Sequence, residues 1–188
     1  RDTAVYGSSF YETPHIDALA KSGMRFTDAY SANCLCSPTR ASILTGQYPA
    51  RYGLTDATGH LSGSHEHKEQ TKTFDDARAA GPSSLNHLDP KMYTLGKAMK
   101  NAGYATGFFG KWHLGHRRTK WHPLLQGFSQ FVGHYNGAID YFDLSREGQR
   151  DWHHQFTPSL EEGYSTDLIA DAAVDFISTS ANDQSPYL

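Results

Sequence analysis

The residues most suited to chemistry lie in a Cys-Ser-Pro-Thr-Arg segment that opens a predicted helix. Ser37 is a suitable cap, Pro38 fits the first helical position, and Gly46 ends the helix after about two turns. Cys36 then lies at the helix N-terminus, where unpaired N–H groups and the macrodipole favour negative charge. Arg40 follows one turn later and can point to the same end, so the pair suits a sulfur nucleophile facing an oxyanion. The alternative is a buried structural cysteine beside an arginine in an ordinary ion pair.

A second candidate site lies in the hexapeptide Gly-Lys-Trp-His-Leu-Gly at residues 110–115. Lys111 and His113 are two residues apart, so an extended backbone would project both side chains to one side and Trp112 to the other. One fixed cation and one titratable imidazole suit the binding of an anion and the transfer of a proton near neutral pH. The alternative is a surface lysine and histidine beside a buried tryptophan.

The cysteine segment and its continuation resemble the signature of the type I sulfatases. The likeness runs from Cys36 through Arg40 and a Leu-Thr-Gly at residues 44–46 to a Tyr-Pro-Ala-Arg at residues 48–51. Residues 103–115 resemble the second signature of the same family. Residues 7–17 are similar to its N-terminal region. The resemblance covers nearly all of the 188 residues and implies the N-terminal portion of a typical member.

The resemblance also implies a reaction and a role for each matching residue. In this family a maturation enzyme converts the signature cysteine to formylglycine, whose hydrate attacks the sulfur of a sulfate monoester. Cys36 would carry that group and, as formylglycine, bind the one divalent cation, Ca²⁺, while Arg40 would hold the formylglycine and offset its charge. Lys111 would contact the sulfate and the formylglycine, and His113 would be the base that later expels sulfate. The other metal ligands and the leaving-group acid are expected outside this chain.

Several polar residues are weaker candidates for binding substrate. His134 and Asn136, with Tyr135 between them, lie where the family often places a substrate-facing loop, although aromatic-rich loop residues usually pack. The His-Arg-Arg run at residues 116–118 adds positive charge that either gathers an anionic polymer or is simply solvated. The histidines at 153 and 154, beside a tryptophan, either line a sugar site or are solvated.

The elements around these segments alternate between helix and strand. This alternation predicts an α/β fold with a mostly parallel sheet flanked by helices, like that of sulfatases and alkaline phosphatases, incomplete at both ends. Sites in such folds form at the carboxyl ends of strands. Besides the helix at the cysteine segment, helices are predicted at residues 14–22, 92–102 and 166–177. Strands are predicted at residues 24–30, 104–109 and 185–188.

The chain is interpreted as one domain, residues 1–188, forming the N-terminal part of a sulfatase catalytic domain. Residues 55–90 are rich in Gly, Ser, His and charged residues without a sustained period, which predicts a long surface loop or insertion. His65 and His67 lie there beside two glutamates, but a well-placed third metal ligand is not evident, so a solvated polar loop is the favoured interpretation.

Composition narrows the functional classes. The formal net charge of -3 and the lack of a dense basic patch argue against nucleic acid as a partner. No apolar run approaches the roughly 20 residues of a membrane helix, which predicts no membrane segment. The two cysteines lie too close together for an easy disulfide. A bacterial protein of the periplasm or of the medium is expected, with the signal peptide outside this chain.

Three functions are compatible with the sequence. The leading one is a sulfuric ester hydrolase that acts on a sulfated carbohydrate or an aryl sulfate and depends on a formylglycine-generating or equivalent maturation enzyme. A phosphonate or phosphate monoester hydrolase of the same superfamily is the enzymatic alternative. A non-catalytic fragment that binds sulfated glycans is the third. Because the remaining metal ligands are expected elsewhere, the chain alone is predicted to be inactive.

Overall fold

The computed structural model describes residues 2–58 and 84–188. The chain divides into two compact units, the first ending at Ser31 and the second running from Ala32 to Leu188. Most of the loop predicted at residues 55–90, including His65 and His67, lies outside the described residues. The prediction of a single domain stays a prediction. Among the described residues, no helix has the length and apolar character needed to cross a membrane.

The first unit is organised around helix α1 (Pro14–Ser22), as predicted. Thr13, which precedes the helix, does not cap it with its side chain. Its hydroxyl oxygen instead accepts a hydrogen bond from the Ala4 N–H at 2.9 Å. Asp17, in the first turn of α1, accepts one from the Val5 N–H at 2.8 Å. The helix start is therefore tied to the preceding residues through two side chains.

The prediction of a strand at residues 24–30 is wrong. These residues form no strand, and the side chains of Met24, Phe26 and Tyr30 are 77%, 63% and 89% exposed. The segment is held by isolated contacts, such as the hydrogen bond that the Tyr6 hydroxyl donates to the Phe26 carbonyl at 2.6 Å. Apolar–polar alternation makes a strand only where a neighbouring strand supplies hydrogen bonds, and the described residues supply none here.

Helix α2 (Cys36–Thr45) carries the first candidate segment. It begins two residues earlier than predicted, because Leu35 has the extended backbone of an N-cap residue. Pro38 is then the third helical residue, where the N–H that proline lacks would have had no partner within the helix. Gly46 ends the helix as predicted, with a left-handed φ of 67° and an N–H that donates to the Ser42 carbonyl at 2.8 Å.

Among the residues that the structure describes, the second unit has three further α-helices: α3 (Pro49–Tyr52), α4 (Leu95–Asn101) and α5 (Ser165–Asn182). The helix predicted at residues 92–102 begins only at Leu95, because Thr94 is its cap and accepts a hydrogen bond from the Lys97 N–H at 3.2 Å. The helix predicted at residues 166–177 begins one residue earlier and runs on to Asn182.

Six strands are described in the second unit, all of them after residue 84: β1 (Gly107–Lys111), β2 (Gln130–His134), β3 (Ser145–Arg146), β4 (Gln149–Arg150), β5 (His153–His154) and β6 (Thr157–Pro158). The main sheet has the order β1-β2-β5-β6, and β3 and β4 form a separate hairpin. Strands β1 and β2 are parallel, whereas β5 and β6 pair antiparallel. The α/β class is confirmed, with a mixed sheet.

The predicted strands at residues 104–109 and 185–188 meet at the edge of β1. The first begins later than predicted, at Gly107, and continues to Lys111. The second forms a parallel bridge between Tyr187 and Ala105, and the Gly107 N–H donates to the Leu188 carbonyl at 2.9 Å. A parallel segment therefore borders β1 on the side opposite to β2.

The buried core combines residues of α2, of β2 and of the segments between these elements, and Trp112 is fully buried within it. Its buried apolar residues are Ala41, Leu44, Leu54, Leu88, Trp112, Leu114, Phe128 and Phe131. Because Trp112 directly follows β1, burial of its indole fixes the position of the neighbouring polar residues. Packing of Trp112 in the core therefore holds the second candidate segment in place.

Strands β1 and β2 approach each other closely at two glycines, Gly110 and Gly133, which are partners in the parallel register. A β-carbon on Gly133 would lie 2.1 Å from the Gly110 carbonyl oxygen, on a backbone with φ of +153°. Both the space and the conformation therefore require glycine there.

We expect Gly133→Ala to destabilise the protein by about 3 kcal/mol, because the added methyl meets backbone that cannot rotate away. Gly148→Ala is the matched control. Gly148 also has a positive φ, +77°, but nothing lies within 4 Å of the position that its added methyl would take, so the cost should be about 1 kcal/mol. Urea denaturation measures both values. Equal losses would show that the close approach of the two strands is not the cause.

Candidate active site

The structure brings Cys36 and His113 together from positions 77 residues apart. The Cys36 Sγ lies 3.2 Å from the His113 Nδ1, at the N-terminus of α2. The imidazole is only 2% exposed, and its Nε2 lies 3.2 Å from the Thr58 carbonyl oxygen. A carbonyl only accepts, so in the neutral ring Nε2 carries the proton and Nδ1 is the acceptor that faces the sulfur. The geometry allows His113 to take a proton from the side chain at position 36.

Thr58 joins the start of α2 to the backbone of His113. Its hydroxyl donates to the His113 carbonyl at 3.0 Å, and its N–H donates to the Ser37 hydroxyl oxygen at 3.0 Å. The predicted capping role of Ser37 is therefore wrong, since its hydroxyl bonds to Thr58 instead of to its own helix. Thr58 carries no sequence signal, because it lies at the edge of a polar segment without periodicity.

His113 has an unusual backbone conformation, with φ of 56°. A positive φ is uncommon in residues other than glycine and costs roughly 1–2 kcal/mol. The extended backbone from which a common direction of Lys111 and His113 was predicted therefore does not hold at His113. Hydrogen bonds on both sides fix this conformation, as the His113 N–H donates to the Tyr135 carbonyl at 3.0 Å and the His113 carbonyl accepts from Thr58.

Arg40 connects α2 to the second candidate segment through hydrogen bonds. Its Nε donates to the Trp112 carbonyl at 3.0 Å, and its Nη2 donates to the Lys111 carbonyl. Burial lowers the pKa of Arg40, and the nearby Cys36 partly opposes this shift. The guanidinium therefore lies close to the start of α2, as the sequence predicts, and is fixed there by backbone carbonyls.

Lys111 is the second cation beside the sulfur. Burial lowers its pKa, whereas the charge of Cys36 and a hydrogen bond to Cys36 raise it; nearby Arg40 and Arg146 lower it further. The lowered pKa of Lys111 therefore reflects its partial desolvation and the positive charges near it. A bound anion would stabilise the charged form of Lys111, since it would offset both effects.

His134 lies beside Lys111, because the two residues are partners in the register of β1 and β2. Its side chain is 7% exposed. Burial lowers the pKa of His134 to about 4, against an opposing effect of Asp151, and the charges of Lys111 and Arg40 lower it as well. His134 is therefore a neutral imidazole near the two cations at physiological pH.

Asn136 is fully buried and bonds to a carboxylate. Its backbone N–H and its Nδ2 both donate to the Asp151 Oδ2, at 2.8 Å and 2.7 Å. The side-chain amide thereby holds the loop after β2 in place. Its predicted contact with substrate stays a prediction.

Asp151 is the polar residue that sequence reasoning missed. Besides Asn136, its carboxylate accepts hydrogen bonds from the Tyr135 N–H at 3.0 Å and from the His153 Nε2 at 3.2 Å. Burial alone would raise the pKa of Asp151, but these hydrogen bonds outweigh burial and hold it below its usual value. The buried carboxylate is therefore charged and organises the residues next to His134. A single aspartate before a tryptophan gives no sequence pattern by which to find it.

The described residues do not by themselves form a calcium site. Among them, no group of three or more His, Cys, Asp or Glu side chains could hold a metal ion. The polar side chains found beside Cys36 are those of Lys111, Arg40 and His113, whereas Ca²⁺ binds oxygen ligands. Position 36 is the one predicted ligand in this part of the chain, and the further ligands stay a prediction.

Gly137 packs directly against the catalytic imidazole predicted at position 113. A β-carbon on Gly137 would lie 2.7 Å from Cε1 and 2.9 Å from Nε2 of His113. Because His113 is buried and bonded at both nitrogens, the ring cannot turn aside without losing a contact. Glycine at position 137 is thus required by the position of the ring.

We expect Gly137→Ala to cost about 1–3 kcal/mol of unfolding free energy, through displacement of the His113 ring. A double-mutant cycle with His113→Ala tests the cause, since removal of the ring removes the clash. The cost of Gly137→Ala should then fall by at least about 1 kcal/mol. An unchanged cost in the His113→Ala background would contradict this explanation.

The lowered pKa of His134 predicts that the stability of the protein depends on pH. Its pKa is about 4 in the folded protein against an ordinary 6.5, so between these values the unfolded chain binds more protons. The stabilising contribution is complete above pH 6.5 and is lost as pH falls towards 4, by up to roughly 3 kcal/mol. We expect His134→Gln to flatten the stability curve over this range, as measured by urea denaturation at several pH values. Parallel curves for the two proteins would refute the expectation.

Comparison with known proteins identifies the family. A family model for sulfatases matches residues 1–188. The N-acetylgalactosamine-6-sulfatase of Rattus norvegicus is 35% identical over 198 residues, which cover 99% of this chain and 35% of that protein. The steryl-sulfatase of Mus musculus is 36% identical over 137 residues, covering 70% of this chain and 19% of that protein. The chain spans about a third of the length of the first relative and less of the second.

Solved structures give the same result. The crystal structure of Ps i-CgsB in complex with k-i-k-neocarrahexaose superimposes with a TM-score of 0.79 at 27% identity, covering 99% of this chain and 40% of that one. BT4656 in complex with its substrate D-glucosamine-2-N,6-O-disulfate superimposes with a TM-score of 0.68, also at 27% identity, covering 98% and 29%. With a family model that matches from end to end and a relative 35% identical over nearly all of it, this chain belongs to the sulfatase family.

Proposed function

We propose that the protein containing this chain hydrolyses the sulfate monoester of a carbohydrate, with position 36 as nucleophile after conversion of the cysteine to formylglycine. The observation that supports this most directly is the 3.2 Å contact between the Cys36 Sγ and the His113 Nδ1, beside Lys111 and Arg40. The relatives support a carbohydrate substrate, since the rat relative is named for a sulfated sugar and BT4656 was solved with a sulfated glucosamine.

The positive charges around Cys36 suit the substrate. A sulfate monoester is an anion, so an oxygen nucleophile can approach it only where charge is compensated. Lys111 and Arg40 supply that compensation in a partly buried site, where electrostatic interactions are stronger than in water. The N-terminus of α2 adds unpaired N–H groups and the positive end of the helix dipole.

The surroundings of position 36 fit a formylglycine. Its hydrate supplies an oxygen that attacks sulfur and a second hydroxyl whose proton must later leave so that sulfate is released. His113 Nδ1 lies within hydrogen-bond distance of the end of this side chain and can accept that proton. The contact of Nε2 with the Thr58 carbonyl keeps the ring in the required orientation, and Gly137 packs against its face.

Lys111 and Arg40 have separate tasks in this proposal. Arg40 is fixed by the carbonyls of Lys111 and Trp112, so its charge stays near the helix N-terminus throughout the reaction. Lys111 lies at the end of β1, close enough to Cys36 for the two side chains to influence each other electrostatically, so in this proposal it binds the sulfate oxygens and the nucleophile together. His134, neutral at pH 7, offers substrate a hydrogen bond without adding charge, and Asn136 is assigned to substrate binding through the same loop.

The proposal also includes components whose binding sites are not formed by the described residues. A maturation enzyme must act on Cys36, which is intermediate in exposure. Ca²⁺ is implied by the family, but no step is assigned to it, because the described residues do not form its site. Location in the periplasm or the medium of a bacterium stays a prediction.

The decisive experiment uses the full-length protein expressed together with a formylglycine-generating enzyme. Hydrolysis of 4-nitrophenyl sulfate and of 4-nitrophenyl phosphate is compared, and the mass of the peptide containing position 36 is measured. We expect conversion of Cys36 and a preference for the sulfate ester. Cys36→Ala should abolish turnover, and His113→Ala should lower kcat by about 10²- to 10⁴-fold, the usual contribution of a general base.

Cys34→Ala is the matched control for the cysteine. Cys34 is exposed and lies two residues before Cys36, so its loss should leave activity and conversion unchanged. Full activity of Cys36→Ala would overturn the proposed mechanism. A preference for the phosphate ester would favour the phosphate or phosphonate hydrolase. Binding of sulfated glycans by an unconverted, inactive protein would favour the non-catalytic alternative.

A further inference from the structure

A cavity of about 240 Å³ lies beside the candidate active site and has no role in the chemistry above. It is formed by the loop after β1, by Tyr135 after β2, and by the strand β5 with its turn. The lining residues that bear on ligand binding are Arg117, Arg118, His122, Tyr135, His153 and Phe156. None of the described lining residues is acidic.

One wall of the cavity is aromatic. The His122 ring lies 4.1 Å from Phe156 and 5.5 Å from Tyr135, and Tyr135 lies 4.1 Å from His153, measured between ring centroids. Phe156 is 49% exposed, so part of its ring can be reached from outside. Such a wall suits the apolar face of a sugar ring, because aromatic side chains combine large contact area with a fixed shape.

His122 belongs to this wall as a neutral ring. Its Nε2 lies 2.9 Å from the Gln155 carbonyl oxygen, and its Nδ1 accepts a hydrogen bond from the Leu124 N–H at 3.1 Å. Burial lowers the pKa of His122 to about 4, which agrees with a ring that has one donor and one acceptor nitrogen in use. His122 therefore adds no positive charge to the cavity at neutral pH, whereas Arg117 and Arg118 do.

Arg117 and Arg118 lie at the exposed edge of the cavity. The Arg118 guanidinium lies 5.6 Å from the centre of the Trp121 ring, a cation–π contact that positions it. A guanidinium presents a planar fork of N–H donors that matches the oxygens of a sulfate or a carboxylate. The two arginines therefore place anion-binding groups next to the aromatic wall.

The cavity is joined to the active site through Tyr135 and Asp151. The His113 N–H donates to the Tyr135 carbonyl, while the side chain of Tyr135 lines the cavity. The Asp151 carboxylate accepts from the Tyr135 N–H and from His153, so one buried charge fixes both a residue next to the site and the cavity wall. The cavity thus shares Tyr135, the residue that directly follows β2, with the backbone next to His113.

We infer that this cavity is a subsite for a second anionic group of the substrate, a sulfate or a carboxylate on the sugar next to the one that is desulfated. The inference rests on the proposed function and makes it more specific: the substrate is an oligosaccharide that carries at least two anionic groups. With about 240 Å³, the cavity is smaller than the roughly 300–1,000 Å³ of typical ligand pockets. It therefore takes one sugar-borne group.

The test compares two double variants of the full-length protein with equal changes in net charge. Arg117→Gln/Arg118→Gln removes the cationic edge, whereas Lys91→Gln/Lys100→Gln removes two exposed charges that do not line the cavity. The probe is a chondroitin 6-sulfate hexasaccharide, which has an anionic group on every sugar, and maltohexaose is the neutral control. Binding is measured by calorimetry, and hydrolysis is measured with 4-nitrophenyl sulfate.

We expect the arginine variant to bind the sulfated hexasaccharide at least about tenfold more weakly, the effect of losing one hydrogen bond to a charged group. Its kcat and KM for 4-nitrophenyl sulfate should be unchanged, because that substrate has one anionic group. The lysine variant should bind the hexasaccharide like the wild type. Phe156→Ala should also weaken hexasaccharide binding, since it removes part of the aromatic wall.

The outcomes separate this inference from the proposed function. Selective weakening by the arginine variant supports the subsite even in a protein that hydrolyses neither the aryl sulfate nor the sulfated hexasaccharide, in which case the proposed function alone fails. Equal weakening by both double variants shows only bulk attraction and overturns the subsite. Unchanged hexasaccharide binding overturns it as well, and a lower melting temperature in that case assigns the arginines to a structural contact.

Discussion

The hydrogen bonds from Arg40 to the carbonyls of Lys111 and Trp112 are the interaction on which the rest of the site depends. They connect α2 to the end of β1 with a group that stays charged at any physiological pH. The same guanidinium therefore fixes geometry and supplies positive potential. Without it, the segment that carries Lys111 and His113 would lose its bonded connection to the helix at this point, and Cys36 would lose a neighbouring charge.

The sheet adds a second constraint. The parallel pairing of β1 with β2 sets Lys111 beside His134, and the glycines at 110 and 133 allow the two strands to approach closely. Hydrogen bonding continues beyond the strands, since the N–H groups of Trp112 and His113 donate to the carbonyls of His134 and Tyr135. The backbone after β1 thus stays hydrogen-bonded to the backbone at the end of β2 as far as His113, which has a left-handed conformation.

Local features of this fold could be predicted from the sequence, whereas contacts between distant residues could not. Gly46 and the apolar pattern mark α2 and α5 because capping and periodicity are local properties, yet alternation at residues 24–30 predicted a strand that has no partner among the described residues. The meeting of Cys36 with His113 followed from the family resemblance and not from spacing. Thr58, Gly137 and Asp151 were missed, since each acts through contacts made only in three dimensions.

The shared hydrogen bonding of Asp151 has a consequence for how substrate preference can change during evolution. The Asp151 Oδ2 accepts from the backbone N–H and the Nδ2 of Asn136, and its Oδ1 accepts from the Tyr135 N–H and the His153 Nε2. The exposed arginines at 117 and 118 are not among these donors. If the cavity is the proposed subsite, replacements of these arginines would change which anionic group is bound while Cys36 and His113 keep their positions. Asp151, which is shared by the two regions, would keep the backbone next to His113 in place through such changes.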